Sequence, residues 1–586
     1  RAVSDSREVQ IWIPSPGRLG RWWHFSDPVK ILCATTLGDV KRVVAGAEAK
    51  QLQGHHFLGF VSYEAGPAFD AALTTHPECP APLACLAAFR DPVETSLPRS
   101  PEDPDRIWIP QLDETEYTRR LSIIRDRIAS GDTYQVNATF PMTTTVTGEP
   151  LALFTRLYDA QPTPGSMLID TPDFAVCSVT PEVFFHRTGS TLPCRPMKGT
   201  APRGASPEQD RDAREQLIQS EKDRAENIMI VDMIRNDLSR IAQARDVRVS
   251  CLFEVSPLPT VRQMTSTVEA TRPAGFTDIM TALFPCASIT GAPKVETTKI
   301  ISAVEHTPRG IYTGAIGHLL PGGDIRMQVA IRTVWIDKHA GTMTYGTGSG
   351  VVWDSTPDTE YRECLAKAAI LNTPRLGFLE TMRFEPGPGI YLYEEHLSRM
   401  AQSAEQLGAP VDIDAVRACV MEGTQALTSS HRIRLVAYPC GQCEITIRPV
   451  PAFVAQPEPK PPPLSLAPEP FRIHASNRFL YHKTLLREAY DQARAAMGDA
   501  DDIVLMNERG EVTEFTYGNL VLERNGQWLT PPVTCGLLNG TFRQTLLNQR
   551  RMQEQVLHWE DLHTGKVWFI NSVRGWQLTR FRHMTS

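Results

Sequence analysis

A chain of 586 residues is too long for one hydrophobic core and predicts several compact units. With 41% hydrophobic and 22% charged residues and no apolar run long enough to span a bilayer, it is composed like an ordinary globular protein, with no membrane role. A net charge of −7 without any long Lys/Arg block argues against a nucleic-acid surface, which has to neutralise many phosphates. The 12 cysteines are sparse and irregular, unlike a disulfide scaffold, so reduced thiols in a cytoplasmic protein are expected. Cys440 and Cys443 form a C-x-x-C, but no second pair or histidines at ligand spacing accompany them. The N-terminus shows neither an initiator methionine nor the apolar core of a signal peptide, and reads as trimmed.

In chain order, Phe57-Leu58-Gly59-Phe60-Val61-Ser62-Tyr63 reads as a buried strand. Tyr117, Leu121, Ile124 and Ile128 have helical spacing between Glu114 and Ser130. Gly131-Asp132 ends that helix, and Thr133 to Thr139 resumes as a strand with polar groups turned inward. Glu182 stands at the mouth of the apolar strand Val183-Phe184-Phe185. Pro196-Met197-Lys198-Gly199-Thr200, punctuated by proline and glycine, reads as a loop presenting one amine. From Glu221 to Ile241 a long helix is predicted, with Ile230, Ile234, Leu238 and Ile241 as its apolar stripe and Asp223 and Glu226 sharing a face. Met327 to Val334, holding Arg332, reads as a strand, and Gly346-Thr347-Gly348-Ser349-Gly350 as a turn with backbone N–H groups free for an anion. A second acidic helix stacks Glu360, Glu363 and Lys367. Taken singly, each of these is as compatible with surface charge as with chemistry.

Together they offer carboxylates for a hard cation, an arginine and amides for substrate carboxylates, and one amine nucleophile. Four blocks in this order, KDRAENIMIVDMIRNDLSRI at 222–241, SITGAPKVETTKII at 288–301, RGIYTGAIG at 309–317 and GTGSGVVWDSTPDTEYRECLAKA at 346–368, resemble the chorismate-utilising enzymes. That family includes anthranilate synthase, isochorismate synthase and the large subunit of aminodeoxychorismate synthase. The resemblance implies a two-sheet β core with surrounding helices over residues 1–372. It puts Mg²⁺ on Glu226 and Glu363, with Asp223 and Glu360 supporting through water. It also puts chorismate against Thr200, Gln263, Ser288, Tyr312, Arg332, Gly348 and Lys367, and makes Glu182 the general acid for the departing 4-hydroxyl. Gln263 stands where many relatives carry histidine, and Ala287 replaces the usual glycine before Ser288. Lys198 discriminates within the family. Anthranilate synthases resembling this chain have alanine there, whereas in aminodeoxychorismate synthases the lysine attacks C2 of chorismate. An ordinary lysine pKa of about 10.4 leaves too little free amine at neutral pH, so burial or positive charge has to lower it. No glutaminase signature is present, because Pro439-Cys440-Gly441 lacks a nucleophile elbow. Ammonia is therefore expected from a separate glutamine amidotransferase subunit or from solution.

Beyond Thr373-Pro374-Arg375 a new pattern opens, and residues 376–586 are read as a second domain. It comprises a small subdomain at 376–450, an extended, poorly packed proline-rich linker at 451–470 with Pro461-Pro462-Pro463, and a large subdomain at 471–586. His396 and Arg399 share one side of a helix. Tyr481-His482-Lys483-Thr484, the Asn507 to Asn519 stretch with Glu514, and Leu538-Asn539-Gly540-Thr541 follow in an order that resembles the fold-type IV pyridoxal-phosphate enzymes. Those include branched-chain and D-amino-acid aminotransferases and aminodeoxychorismate lyase. The resemblance implies an overall α/β (α+β) architecture, with Lys483 carrying pyridoxal 5′-phosphate and Glu514 on its pyridinium nitrogen. Arg399, Gly540, Thr541 and Ser572 would hold the phosphate, Thr381 would contact substrate, and a homodimer through this half is in keeping with the family. Here Thr541-Phe542 replaces the usual Val-Thr after Gly540. The two halves then imply one route, amination of chorismate followed by loss of pyruvate to give 4-aminobenzoate. Two other readings stay open: a synthase with a non-catalytic second half, and anthranilate synthase fused to an aminotransferase.

Overall fold

The computed structural model describes residues 8–204, 207–241, 246–258, 261–271, 275–458 and 462–582. The chain is a mixed α/β protein that divides into two compact units. One runs to Ala201 and resumes at Arg214–Arg375, and the other takes Pro202–Ala213 and the chain from Leu376 onward. Among the described residues no helix is long and apolar enough to cross a membrane.

The first unit is built on two antiparallel sheets. The larger, ten-stranded sheet has Gln135–Thr145, Thr342–Val351, Thr333–Asp337 and Phe174–Ser178 as successive neighbours. The six-stranded sheet runs Val183–Arg187, Ile325–Val329, Ala315–Leu319, His56–Val61, Ala84–Phe89, Lys30–Ala34. Ile11, Phe25, Ile169 and Phe174 of the first sheet meet Leu58, Phe60, Ala87 and Ile316 of the second. The other face of the six-stranded sheet, with Phe57, Val61, Leu86 and Met327, packs on Val40, Ile230, Ile234 and Ile279 from three helices. Burial on both faces is why residues 57–61 of the strand His56–Val61 are apolar, with no alternation. Cys33 and Cys85 are direct cross-strand partners with Cα atoms 4.2 Å apart, and they form a disulfide.

Three expectations are corrected. The segment carrying Lys198 is not a loop but the strand Met197–Pro202, paired within a four-stranded sheet to Val261–Ala270. Gly199, at φ 98°, absorbs the distortion that the Pro-Gly signals suggested was a turn. The run from Met327 to Val334 is broken into Ile325–Val329 and Thr333–Asp337, because Arg332 takes a left-handed φ of 51° that no ladder accommodates. The Gly346–Gly350 stretch lies inside the strand Thr342–Val351, where its glycines serve close approach rather than a turn.

In the second unit, a sheet of Gly389–Ile390, Phe378–Glu385, His431–Ala437 and Cys443–Pro449 is covered by the helices Tyr393–Gln406 and Ile413–Thr424. A second, six-stranded sheet is centred on Lys566–Asn571 and Asn519–Arg524. The proline-rich stretch is better packed than expected. Phe453 contacts the rings of Tyr391 and Phe542, and Val454 exchanges backbone bonds with Arg574 and Trp576. Residues 459–461, with Pro461 of the triple proline, lie outside the described residues.

Candidate active sites

In the first unit the strand carrying Lys198 is held by the side chains of two neighbours, Asn227 and Gln263. Asn227 Nδ2 donates to the carbonyl of Lys198 at 3.2 Å, and Gln263 Nε2 donates to the carbonyl of Gly199 at 3.0 Å. Thr200 Oγ1 donates to Gln263 Oε1 at 3.2 Å. A Cβ on Gly350 would lie 2.9 Å from Lys198 Nζ, so the bare backbone at 350 is what admits the amine. Gly350→Ala is therefore expected to displace Nζ and cut any turnover that depends on this amine by about tenfold or more, with thermal unfolding little changed. Steady-state rates and melting of the variant check this.

The charges around the amine come from three separate segments. Burial, then Lys367, lowers the Lys198 pKa, while Glu226, Glu182 and Glu363 oppose the shift. Glu182 is buried, 4% exposed, and accepts hydrogen bonds from Ser288 Oγ at 2.5 Å and from the backbone N–H of Met197. Burial raises its pKa, against the pull of Ser288 and Lys198. A carboxyl inclined to keep its proton thus stands beside an amine inclined to lose one. Lys367 is fixed by Glu363 at 2.6 Å and by the carbonyl of Gly348 at 2.9 Å.

Glu226 and Asp223 sit on the helix Glu221–Ser239, and Glu360 and Glu363 on Pro357–Ala368. Burial raises the Glu226 pKa, Lys198 and Lys222 pull it back, and the neighbouring carboxylates Asp223 and Glu360 raise it again through mutual repulsion. That mutual repulsion is what a divalent cation would relieve, so the donors fit Mg²⁺ in kind. Among the described residues no three such side chains are already gathered as a cage.

Tyr312 and Arg332 are placed differently from each other. The Tyr312 ring rests on Gly346, where a Cβ would lie 2.1 Å from Cγ. Arg332 donates to Gln161 Oε1 at 3.2 Å and acts electrostatically on Tyr345. Two features escaped the sequence reading. Gln135 is 1% exposed, neither atom of its amide has a partner among the described residues, and Nε2 lies 2.6 Å from the same Gly350 Cβ position. Its signal was the inward polar face predicted for that strand. The other is Arg309, buried and paired with Glu305 at 2.7 Å, while Glu64 accepts the backbone N–H groups of Arg309 and Gly310 just before Tyr312.

In the second unit Lys483 lies beside the strand Phe378–Glu385, its carbonyl accepting from the N–H of Leu379 at 2.9 Å. Burial, then Arg399, lowers its pKa to about 7. Glu514 is 3% exposed and accepts from Tyr490 Oη at 2.6 Å, Asn519 Nδ2 at 3.1 Å and the N–H of Leu538 at 3.1 Å. Burial raises its pKa to about 7. A buried carboxylate with three neutral donors and, among the described residues, no hydrogen-bonded cation fits the pyridinium nitrogen of pyridoxal phosphate. Arg399 is held by both oxygens of Glu380, at 2.9 and 2.5 Å, and by the carbonyl of Asn539 at 3.2 Å. His396 Nδ1 meets Glu380 at 2.6 Å, and His396 Nε2 lies 3.3 Å from Thr541 Oγ1. Burial works against the Glu380 carboxylate, but Arg399 and His396 outweigh it and hold the pKa well below the usual range. Arg399 and Thr541 are thus joined through Glu380 and His396. Gly540 caps the helix Thr541–Asn548, and Ser572 is buried between two strands of the second sheet. Thr381 lies on the face of its strand opposite Met382 and the helices.

Comparison with known proteins adds to this geometry. Residues 88–373 match the chorismate binding enzyme family, and residues 377–579 match amino-transferase class IV. Aminodeoxychorismate synthase component 1 of Klebsiella aerogenes is 37% identical over 300 residues, covering 51% of this chain and 65% of that protein. Anthranilate synthase component 1 1 of Haloarcula marismortui is 36% identical over 296 residues, covering 49% of this chain and 59% of that protein. The chain thus spans less than two thirds of the length of these curated relatives. The crystal structure of anthranilate synthase component I from Streptococcus pneumoniae TIGR4 shares the fold, with a TM-score of 0.52 at 21% identity over 63% of this chain and 91% of that one. One chain thus carries, in succession, a segment that matches the chorismate binding enzyme family and a segment that matches amino-transferase class IV.

Proposed function

We propose that the chain makes 4-aminobenzoate from chorismate in two steps, one in each unit. The observation that carries this reading is the Lys198 amine admitted by Gly350, with Glu182, a carboxyl whose pKa burial raises, bonded to the backbone N–H of the adjacent Met197. In the first step Lys198 Nζ adds to C2 of chorismate, the ring double bonds shift, and the 4-hydroxyl leaves with a proton from Glu182. Ammonia then enters at C4, the double bonds return, and the lysine is expelled, leaving 4-amino-4-deoxychorismate. Glu226 and Glu363 would hold Mg²⁺, with Asp223 and Glu360 behind them, and the ion supplies positive charge for the ring carboxylate. Thr200, Gln263, Ser288, Tyr312, Arg332, Gly348 and Lys367 would bind and orient chorismate around that carboxylate and the enolpyruvyl group. A separate glutamine amidotransferase subunit would deliver ammonia, in keeping with the "component 1" of the Klebsiella relative's name.

In the second step Lys483, Glu514, Arg399, Gly540, Thr541 and Ser572 would hold pyridoxal phosphate, which supplies an electron sink when bound. Lys483 Nζ removes the proton from C4 of the aminated product and returns one to the enolpyruvyl methylene, with Thr381 against the substrate. Pyruvate leaves and the ring becomes aromatic. A homodimer through this unit belongs to the same reading. Supplying the purified chain with chorismate, ammonium, Mg²⁺ and pyridoxal phosphate is expected to yield 4-aminobenzoate and pyruvate. 2-Aminobenzoate in its place would overturn the first step, and aminated product without conversion to 4-aminobenzoate would overturn the second.

A further inference from the structure

The small sheet of the second unit carries arginines that the chemistry above leaves unused. Along His431–Ala437, the side chains of Ile433, Leu435 and Ala437 join the core under the helices. The period of two along a strand therefore turns Arg432 and Arg434 to the opposite face. The register sets Arg432 between Arg383 and Arg448, and Arg434 between Thr381 and Thr446. Arg383 is accounted for: it is 2% exposed, pairs with Glu385, and donates to the carbonyls of Pro451 and Val573. The last of these bonds brings the turn with the exposed Arg574 to the same face.

Arg432, Arg434 and Arg448 have no hydrogen-bond or ion-pair partner among the described residues, and Arg574 reaches only Gln577 Oε1, at 3.5 Å, with its side chain. Burial, then Arg448, Arg574 and Arg434, pushes the Arg432 pKa down, and no carboxylate figures among the charges acting on it. Of the acids on this face, Glu385 is taken by Arg383 and Ser430, and the exposed Glu444 stands opposite Val436, beyond Thr446. Like charges placed directly across a ladder destabilise it, so this arrangement is at odds with stability alone. An anion resolves it. Guanidiniums on adjacent strands, about 5 Å apart at the backbone, suit two carboxylates of one small molecule, each able to take a bidentate pair.

We propose that Arg432, Arg434, Arg448 and Arg574 form an anion-binding track that captures a dicarboxylate substrate and leads it along the sheet face to Thr381. The identity of that substrate rests on the elimination assigned to this unit, whereas the track itself does not. Free phosphate carries similar charge and is the other source to be distinguished.

The test uses the full-length, cofactor-loaded chain with R432Q/R448Q and with R448Q alone, the latter at an exposed position outside the core. Calorimetric titration in EDTA takes chorismate as the dicarboxylate probe and inorganic phosphate as the alternative, and scores the site additional to the chorismate site of the first unit, which every variant keeps. Chorismate is expected to bind the wild type about tenfold or more tightly than the double variant, with phosphate weaker than chorismate. For pyruvate release from 4-amino-4-deoxychorismate, kcat/KM is expected to fall about 10- to 100-fold at low salt with kcat unchanged, and to lose most of its salt dependence. R448Q alone should show a smaller change of the same kind. Unchanged titration and unchanged salt dependence would overturn the track. Tighter phosphate than chorismate binding would overturn the substrate assignment. A changed oligomeric mass with unchanged anion binding would assign the arginines to a second copy and overturn the proposal. Failure of the wild type to release pyruvate would count against the elimination alone, because the titration judges the track independently.

Discussion

Lys198→Ala is expected to lower ammonia-dependent formation of 4-amino-4-deoxychorismate by about a thousandfold or more, corresponding to about 4 kcal/mol of lost transition-state stabilisation. No neighbour can stand in for the amine. The nitrogen that approaches the same point is the Gln135 amide, which is not a nucleophile, and Lys367 is committed to Glu363 and Gly348. The pH profile should carry the same signature. Lys198 is competent when neutral, and burial with Lys367 lowers its pKa, so the rising limb comes at lower pH than an ordinary lysine allows. Glu182 is competent when protonated, and burial raises its pKa, so the falling limb comes above the ordinary carboxylate range. The optimum is expected between these two displaced limbs. Glu182→Gln should remove the falling limb while leaving the Lys198 limb in place. Chromatographic assay of the aminated product and mass spectrometry of a trapped chorismate adduct on Lys198 make the measurement. Full activity in Lys198→Ala, with no adduct on the wild type, would refute the assignment.

What the sequence made legible follows from which interactions are local. The helix Glu114–Ala129 was readable because Tyr117, Leu121 and Ile124 recur at helical spacing and are all buried. The strand His56–Val61 was readable because burial on both faces leaves residues 57–61 as an unbroken apolar run. The segment carrying Lys198 was misread because Pro196 and Gly199 speak for a turn, whereas its conformation is fixed by pairing with residues about 65 positions later. Gly346 and Gly350 were misread for the same reason. Their absent side chains answer to Tyr312 and Lys198, contacts with no local trace. Arg332 breaks a run whose apolar residues gave no warning of a positive φ. In the site itself, residue types were legible and convergence was not. Glu182, Lys198, Glu226 and Lys367 belong to distant segments, and only the packed strands and helices make them one electrostatic system.

Lys483→Ala is expected to abolish pyruvate release, leaving about 0.1% or less of the wild-type rate, and to remove the absorbance of lysine-bound pyridoxal phosphate. The synthase step should be unaffected, so the aminated product accumulates in place of 4-aminobenzoate. The loading reaction supplies a test that does not depend on turnover. Attachment of the cofactor needs a neutral Lys483 amine, and burial with Arg399 places its pKa at about 7. The loading rate of the cofactor-free protein should therefore rise with pH through about 7 and level off above it, well below the range of an exposed lysine. Glu514 titrates near the same value and is needed as the carboxylate, so its requirement moves in the same direction. Glu514→Gln keeps acceptor capacity toward Tyr490 and Leu538 but removes the charge. It is expected to load cofactor and yet release pyruvate about a hundredfold more slowly. Stopped-flow absorbance gives the loading rate, and a pyruvate-coupled assay gives the turnover. A loading rate that climbs only near pH 10, or a Lys483→Ala protein that still releases pyruvate, would remove Lys483 from the centre of the second unit.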